Sequence, residues 1–316
     1  MKDSACKADL PSVSIFLDFP VEMSLFSRFR TRVLGWWHDV PFPLPALEVN
    51  ASPVFQSWHR FDSFSNRWIP FNPPHETTQE ESSASVDVGP AQGSRLVLVT
   101  WNVDATASGS ETRISAIISH LQNSVPLVDV IFLQEVSRPA LTTLLAIPWL
   151  RDHWYSSEAD TINWGTQSFA NMTLVSRLRL DDVGRAANNA ALGPIWRAKY
   201  PSRFERDALC CDILLTSSRC LSRVRLINVH LDSLPIQPSL RPIQLSVVAS
   251  YLHAAGRGIV AGDFNSVLPE DDTLVSTNCL VDVWAELHPD EAALLRDLTE
   301  TSHLRPTDST RWLWLG

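Results

Sequence analysis

Oxygen-rich and imidazole side chains follow four separate hydrophobic stretches of this chain. The segments are LVLVTWNVDA (96–105), VIFLQEV (130–136), INVHLDS (227–233) and IVAGDFNS (259–266). A β-rich stretch that stops on such residues places them at a strand end, where side chains of several strands can converge. One such segment alone is weak evidence, because many strands meet water through an Asp or Asn turn. Four in succession, none built on cysteine, favour a shared Mg²⁺ or Mn²⁺ site over a zinc site.

The strongest single candidate for a metal ligand is Glu135. It ends a strand with a buried character, where an isolated carboxylate is costly unless it is paired or coordinated. The alternative is a carboxylate near the start of the helix that follows. Asn102 and Asp104 would lie on one face of an extended segment, and a strand-end turn is an equally good interpretation of that pair.

The sharpest pair in the sequence is Asp263 with Asn265, because a spacing of two puts both on one side of an extended chain. Gly262 before them permits a close backbone approach. His230 ends another strand, where a lone histidine is usually structural. Beside the other three segments, the functional interpretation of His230 is the stronger one.

The four segments resemble the motifs of the endonuclease/exonuclease/phosphatase superfamily, which run WN, QE, H-L, GD-x-N and finally S-D-H. TWNVDA and HLDS are most similar to the tyrosyl-DNA phosphodiesterase branch, which cleaves 5′-phosphotyrosyl bonds. The similarity covers about residues 95–285, and no S-D-H follows. Ser302 and His303 lie too close to Asp282 and Trp284 to replace it. We therefore expect a domain that is incomplete at its C-terminus, with TDSTRWLWLG (307–316) out of register.

The resemblance implies hydrolysis of 5′-phosphotyrosyl DNA adducts in DNA repair, in the nucleus or also in the cytoplasm. It implies Mg²⁺ (or Mn²⁺) at Glu135, with Asp104 and Asn102 nearby. Asp263 would orient or deprotonate the attacking water, while Asn265 and His230 would contact the phosphate. The residues that it places against DNA are Asn102, Phe169, Arg206, His230, Asp232, Ser233, Asn265 and Trp284.

Single-stranded DNA is the further partner that the sequence suggests. Cations alternate with rings in IWRAKYPSRFERDAL (195–209), and such a pattern suits backbone phosphates and bases. A solvated basic loop is the alternative for this segment, and a core ring is the alternative for Phe169. Two other functions stay open: a catalytically impaired remnant that at most binds single-stranded DNA, and another phosphodiesterase or nuclease of the superfamily.

The composition of the chain argues against several classes of protein. A net charge of −9 over 316 residues argues against non-specific coating of nucleic acid. Five cysteines, odd in number and without a CxxC pair, are a poor disulfide framework and indicate a reducing compartment. No apolar stretch approaches the length of a membrane span, so we expect no membrane partner.

The elements that must position the site begin at residue 95. Strand-like and helical segments mix there without a strict βαβ period, which predicts an α/β fold of two packed mixed β-sheets flanked by helices, a four-layer αββα sandwich. Before this domain (95–316) we expect a flexible linker at 72–94. We expect residues 1–71 to form a loosely attached N-terminal extension with an amphipathic helix at 24–38 and a hairpin at 56–71.

Overall fold

The computed structural model describes residues 13–15, 41, 52–73, 96–180, 190–216, 221–290 and 310–315. The helix expected at 24–38, nearly all of the expected linker, and Ser302 with His303 lie outside these ranges. None of the helices within them is long and apolar enough to cross a membrane.

Fourteen strands and seven α-helices are described. The strands are β1 (Val13–Ile15), β2 (Pro53–Gln56), β3 (Trp58–Asp62), β4 (Arg67–Phe71), β5 (Leu96–Asn102), β6 (Val130–Ser137), β7 (Trp154–Ser156), β8 (Phe169–Ser176), β9 (Ala190–Lys199), β10 (Asp207–Thr216), β11 (Leu221–His230), β12 (Gly258–Asp263), β13 (Val281–Asp282) and β14 (Thr310–Leu315). The helices are α1 (Ser110–Gln122), α2 (Arg138–Ala146), α3 (Pro148–His153), α4 (Arg177–Leu180), α5 (Arg241–Ala255), α6 (Leu274–Thr277) and α7 (Val283–Leu287).

The strands form two mixed sheets. The first has the order β1-β5-β6-β8-β7-β3-β4, and the second has the order β13-β14-β12-β11-β10-β9-β2. Pairing is parallel from β1 through β5 to β6 and between β11 and β12, and it is antiparallel elsewhere. The predicted fold of two mixed sheets with flanking helices is confirmed.

The core has three apolar layers that follow from the sequence pattern. Between the sheets, Leu98 and Val130 of the first pack in one cluster with Leu226 and Ile259 of the second. On the outer side of the first sheet, α1 buries one stripe of residues at helical spacing. Its members are Ile114, Ile117, Ile118 and Leu121. The second sheet buries its outer side in a cluster that includes Leu245 and Val248 of α5.

Residues 53–71 contribute strands to both sheets. The hairpin expected at a sheet edge is β3 with β4, at one edge of the first sheet, and β2 pairs with β9 at the edge of the second. The Trp58 side chain is fully buried, and its Nε1–H donates to the Gly193 carbonyl at 3.0 Å across the sandwich. The loose attachment that we expected is therefore wrong for these residues.

The C-terminal strand also differs from the expectation. β14 pairs antiparallel with β12 over its whole length, Thr310 opposite Asp263 and Leu315 opposite Gly258. It pairs with β13 on its other side. Residues 310–315 are thus part of the second sheet, and the interpretation of this segment as out-of-register sequence is wrong.

Candidate active site

Side chains on the face between the two sheets change from apolar to polar along the strands. Alternate residues of a strand share one face. The successive residues are Leu98, Thr100 and Asn102 on β5, Leu226, Asn228 and His230 on β11, and Ile259, Ala261 and Asp263 on β12. His230 and Asp263 are register partners across the parallel pair. Ordinary strand alternation therefore delivers polar side chains from three strands to one end of the sandwich.

Glu135 reaches this end through an irregularity in β6. The register between β6 and β8 shifts between Leu133 and Val136, which is the mark of a β-bulge. Leu133 and Val136 both pack in the outer cluster under the helices, whereas Gln134 bonds across the sandwich to Asn228. Glu135 has a φ of 56°, a strained backbone that bulky residues seldom adopt. The bulge is what aims its carboxylate into the site.

Four polar side chains meet there. The Asn102 amide donates from Nδ2 to Glu135 Oε1 at 3.1 Å and to Asp263 Oδ2 at 2.9 Å. His230 Nε2 lies 3.6 Å from Glu135 Oε1 and 3.8 Å from Asp263 Oδ2. The second oxygen of Glu135, Oε2, accepts from the backbone N–H of Ala105 at 3.0 Å. The side chains that we expected to share one site do lie together.

A position at the start of the following helix was the alternative for Glu135, and Ser137 fills that position. Ser137 is the N-cap of α2, and its hydroxyl accepts from the backbone N–H of Ala140 at 3.3 Å. Glu135 makes its hydrogen bonds to Asn102 and Ala105 instead. Its carboxylate therefore belongs to the site and not to the helix start.

The electrostatics of the cluster favour a cation. Burial, with the Asp263 carboxylate adding to it, raises the pKa of Glu135 to about 7. Burial and the nearby Arg206 charge hold the pKa of His230 well below its usual 6.5, so its imidazole is neutral. Ligand atoms of Glu135, His230 and Asp263 all lie within 4.8 Å of one another. Two carboxylates and a neutral imidazole fit a divalent cation, which would offset the repulsion between the carboxylates.

The residues after two of the strands turn sharply, contrary to the extended chain that we expected. Asp104 has a φ of 63°, and its Oδ1 accepts from the backbone N–H and the hydroxyl of Thr106. This is the strand-end turn that was the alternative for Asp104. Asn265 has a φ of 47°. Its backbone N–H donates to Asp263 Oδ1 at 3.0 Å, so the turn places it directly beside the cluster.

Asp232 lies beneath the site and not on its surface. It is 3% exposed, and its carboxylate accepts from the Ser202 hydroxyl at 2.6 Å and the Arg203 N–H at 2.9 Å. Because both oxygens are used and buried, this structure does not expose Asp232 to DNA, and its expected contact with DNA stays a prediction. These two hydrogen bonds connect Asp232 to the loop that follows β9.

Arg206 is buried between two rings beside the cluster. Its guanidinium carbon lies 5.6 Å from the Phe169 ring centre and 5.3 Å from that of Phe204, and one Nη donates to the Ser233 hydroxyl at 2.9 Å. The half-buried Phe169 ring lies 6.2 Å from the His230 ring. Arg206, Ser233 and Phe169 therefore line one side of the cluster.

Most of the basic segment at 195–209 is interior and does not form an exposed loop. It forms the ends of β9 and β10 and the turn between them. Its members Trp196, Arg197, Tyr200 and Phe204 are each less than 9% exposed. Their side chains are interior, so the stacking platform that we expected from this pattern is wrong.

Trp284 lies apart from the other candidates. It is on the short helix α7, where its ring stacks on that of His288 at 5.5 Å. Within the described residues, no hydrogen bond or ring contact joins it to the cluster. Its assignment to DNA binding stays a prediction.

The sequence does not indicate the role of some groups that lie next to the cluster. The Ala105 amide that bonds to Glu135 is backbone, which almost any residue type would provide. The Tyr200 hydroxyl donates to the His230 carbonyl at 3.1 Å, although the sequence pattern indicates a stacking surface for that ring. Gly262 does permit the close approach expected of it, since a Cβ there would lie 2.0 Å from the Val229 carbonyl oxygen.

Comparisons with known proteins agree with this architecture. The model of the endonuclease/exonuclease/phosphatase family matches residues 99–315. A humanised D. rerio TDP2 with 14 mutations has a similar structure, with 18% identity and a TM-score of 0.50 over 69% of this chain and 82% of that one. D. rerio TDP2 with a single-strand DNA product gives the same identity and TM-score over 69% and 83%. At this identity the likeness shows the fold. A comparison with curated proteins gives no match.

Proposed function

This chain belongs to the endonuclease/exonuclease/phosphatase family, and we propose that it is a metal-dependent phosphodiesterase acting on 5′-phosphotyrosyl ends of DNA. The observation that carries the proposal is the meeting of Glu135, His230 and Asp263 at one end of the sandwich. The finer assignment rests on TWNVDA and HLDS. It is further supported by the similar fold of a TDP2 that was solved with a single-strand DNA product.

Glu135 is the proposed holder of Mg²⁺ or Mn²⁺, with Asn102 beside it and Asp104 as a second oxygen donor from the adjacent turn. The bound ion would supply charge neutralisation at the phosphoryl oxygens. Asn102 has a separate task that its contacts support. Its one amide group bonds both carboxylates, so it fixes the distance between them.

Asp263 is the proposed base that orients the attacking water. Oδ1 accepts from the Asn265 N–H and Oδ2 from the Asn102 amide, so the carboxylate plane is fixed before substrate binds. Such preorganisation is the main source of rate enhancement in charge-developing reactions. The low pKa of His230 keeps its imidazole neutral, which leaves one ring N–H. In the proposed mechanism this N–H donates to a phosphoryl oxygen, and His230 does not bind the ion.

Asn265 and the side formed by Arg206, Phe169 and Ser233 are the proposed contacts to the DNA end. The half-buried Asn265 lies one turn beyond Asp263, and Arg206 brings a positive charge close to Glu135. Single-stranded DNA is the expected form of the strand beside the scissile bond. A role in DNA repair in the nucleus, or also in the cytoplasm, follows from this substrate as part of the proposal.

The test is cleavage of a 5′-tyrosyl oligonucleotide by the purified 316-residue chain with Mg²⁺. Asp263→Asn should lower the rate by roughly 10²–10³ or more, as loss of a preorganised group does. The matched control is Asp152→Asn, an exposed carboxylate on α3, which should keep the wild-type rate. Turnover that survives Asp263→Asn would contradict the assignment. Absent turnover with measurable binding of single-stranded DNA would replace the enzyme with the catalytically impaired alternative.

A further inference from the structure

Two buried amides join the sheets just behind the cluster. Gln134 and Asn228 are 1% and 0% exposed. Gln134 Nε2 donates to Asn228 Oδ1 at 2.7 Å across the sandwich and to Thr100 Oγ1 at 2.9 Å within its own sheet. Buried amides are costly unless fully bonded. The neighbouring positions of the same layer, such as Leu226 and Ala261, are apolar, so this pair calls for a specific explanation.

The contacts of Asn228 are concentrated on the bulge. Its Nδ2 donates to the Leu133 carbonyl at 3.2 Å and to the Met172 carbonyl at 2.9 Å. Leu133 and Met172 are the last register partners of β6 and β8 before the shift. A side chain of the second sheet thus donates to two backbone carbonyls of the first at the point where its own ladder is interrupted.

The direction of the Glu135 carboxylate depends on this bulge. In a regular strand, Glu135 would face the helices together with Ile131 and Leu133 of the outer cluster, because alternate residues share a face. The extra residue and the positive φ turn it toward Asn102 instead. Asn228 binds the residue before the bulge through its backbone and Gln134 inside the bulge through its side chain.

We propose that Asn228, acting with Gln134, is a positioning residue that holds the β6 bulge and thereby aims the Glu135 carboxylate. The part that concerns metal affinity rests on the proposed function, whereas the position of Glu135 does not. Outer partners of metal ligands typically change metal affinity about 10–100-fold when they are removed. The competing explanation is that these amides only hold the two sheets together.

The first measurement needs no metal. The Ala105 N–H is bonded to Glu135 Oε2 at 3.0 Å, so amide hydrogen exchange at Ala105 reports where that carboxylate lies. Asn228→Ala should raise the exchange rate at Ala105 about tenfold relative to the same amide in the wild type, after correction for global stability. Gln134→Met, which keeps the side-chain volume, should give a smaller rise in the exchange rate at Ala105. This variant replaces Asn228→Ala in the test if Asn228→Ala does not fold.

The second measurement is the dissociation constant for Mn²⁺ by calorimetry, and Asn228→Ala should weaken binding roughly 10–100-fold. The matched control is Trp58→Phe, which removes another hydrogen bond between the sheets, that to Gly193, far along the strands from Glu135. It should lower the melting temperature without changing either readout. Unchanged exchange at Ala105 in a folded Asn228 or Gln134 variant overturns the proposal. Wild-type protein that binds no Mn²⁺ would refute the metal function alone, because the exchange result still decides the positioning role.

Discussion

Two buried polar regions of this sandwich differ in how their charges and backbones are satisfied. In the first, around Arg197, the guanidinium donates to Asp207 at 2.7 Å and to Glu158 at 2.6 Å, and none of the three has a positive φ. In the second, the carboxylates of Glu135 and Asp263 share one amide group and repel each other. The first region has the chemistry of a structural element.

The second region is strained. Asp104, Glu135 and Asn265 all have φ values between 47° and 63°, and such residues cluster at functional sites because the surrounding structure holds them there. The difference suggests that buried polar groups stabilise this fold where a guanidinium hydrogen-bonds the carboxylates and the backbone is unstrained. Where the backbone is strained and two carboxylates repel each other, buried polar groups serve binding and catalysis at some expense of stability.

The largest effect should come from breaking the paired region. Arg197→Met leaves Glu158 and Asp207 buried without their partner, which typically lowers the free energy of unfolding by about 3–5 kcal/mol. Urea unfolding measures it. The control is Arg179→Met. Arg179 pairs with Asp129, whose side chain is 6% exposed, but the Arg179 side chain is 43% exposed, so water can take its place and the loss should be smaller, about 1 kcal/mol. Equal losses in both variants would show that the Arg197 cluster is no more than a surface-like pair.

A change of opposite sign is expected in the strained region. Glu135→Gln removes one of the two carboxylates that repel each other, so the metal-free variant should be more stable than the wild type by about 1 kcal/mol. The same variant should lose calorimetric binding of Mg²⁺. A destabilised variant that still binds Mg²⁺ like the wild type would remove Glu135 from the site and would place it with the structural group.

The contrast also explains what could be predicted from sequence. Strand alternation is a local pattern, so the four segments and the convergence of Asn102, His230 and Asp263 could be anticipated. Alternation also holds for Cys210 and Cys211, which pack in the outer and the inter-sheet clusters. Convergence at strand ends needs only the order of apolar and polar residues along each strand.

What could not be predicted depends on distant partners. Arg197 looks the same in sequence whether it faces water or a buried carboxylate, and Glu158 is 39 residues away from it. The bulge at Glu135 is held by hydrogen bonds from Asn228 on the other sheet, as proposed above. Residues 310–315 contain none of the four segments, although they pair with β12 and lie within the family match.

The smallest predicted effect concerns a histidine at the edge of the paired region. His59 on β3 has its pKa lowered by burial, although Glu158 and Asp160 partly oppose this. The folded protein therefore binds a proton at His59 less readily than the unfolded chain does. As the pH falls below the usual value of 6.5, the unfolded state is protonated first and the free energy of unfolding decreases.

His59→Gln should remove this contribution to the pH dependence. The slope for one proton is at most about 1.4 kcal/mol per pH unit, so the wild type should lose more stability than the variant between about pH 7.5 and 5.5. Urea unfolding at both pH values measures this difference in the free energy of unfolding. The difference between the two proteins at the higher pH gives the effect of the substitution that does not depend on pH. Parallel decline of the two proteins would contradict the prediction. It would also show that the paired region tolerates a new positive charge at its edge, because its carboxylates would then compensate for the burial of His59.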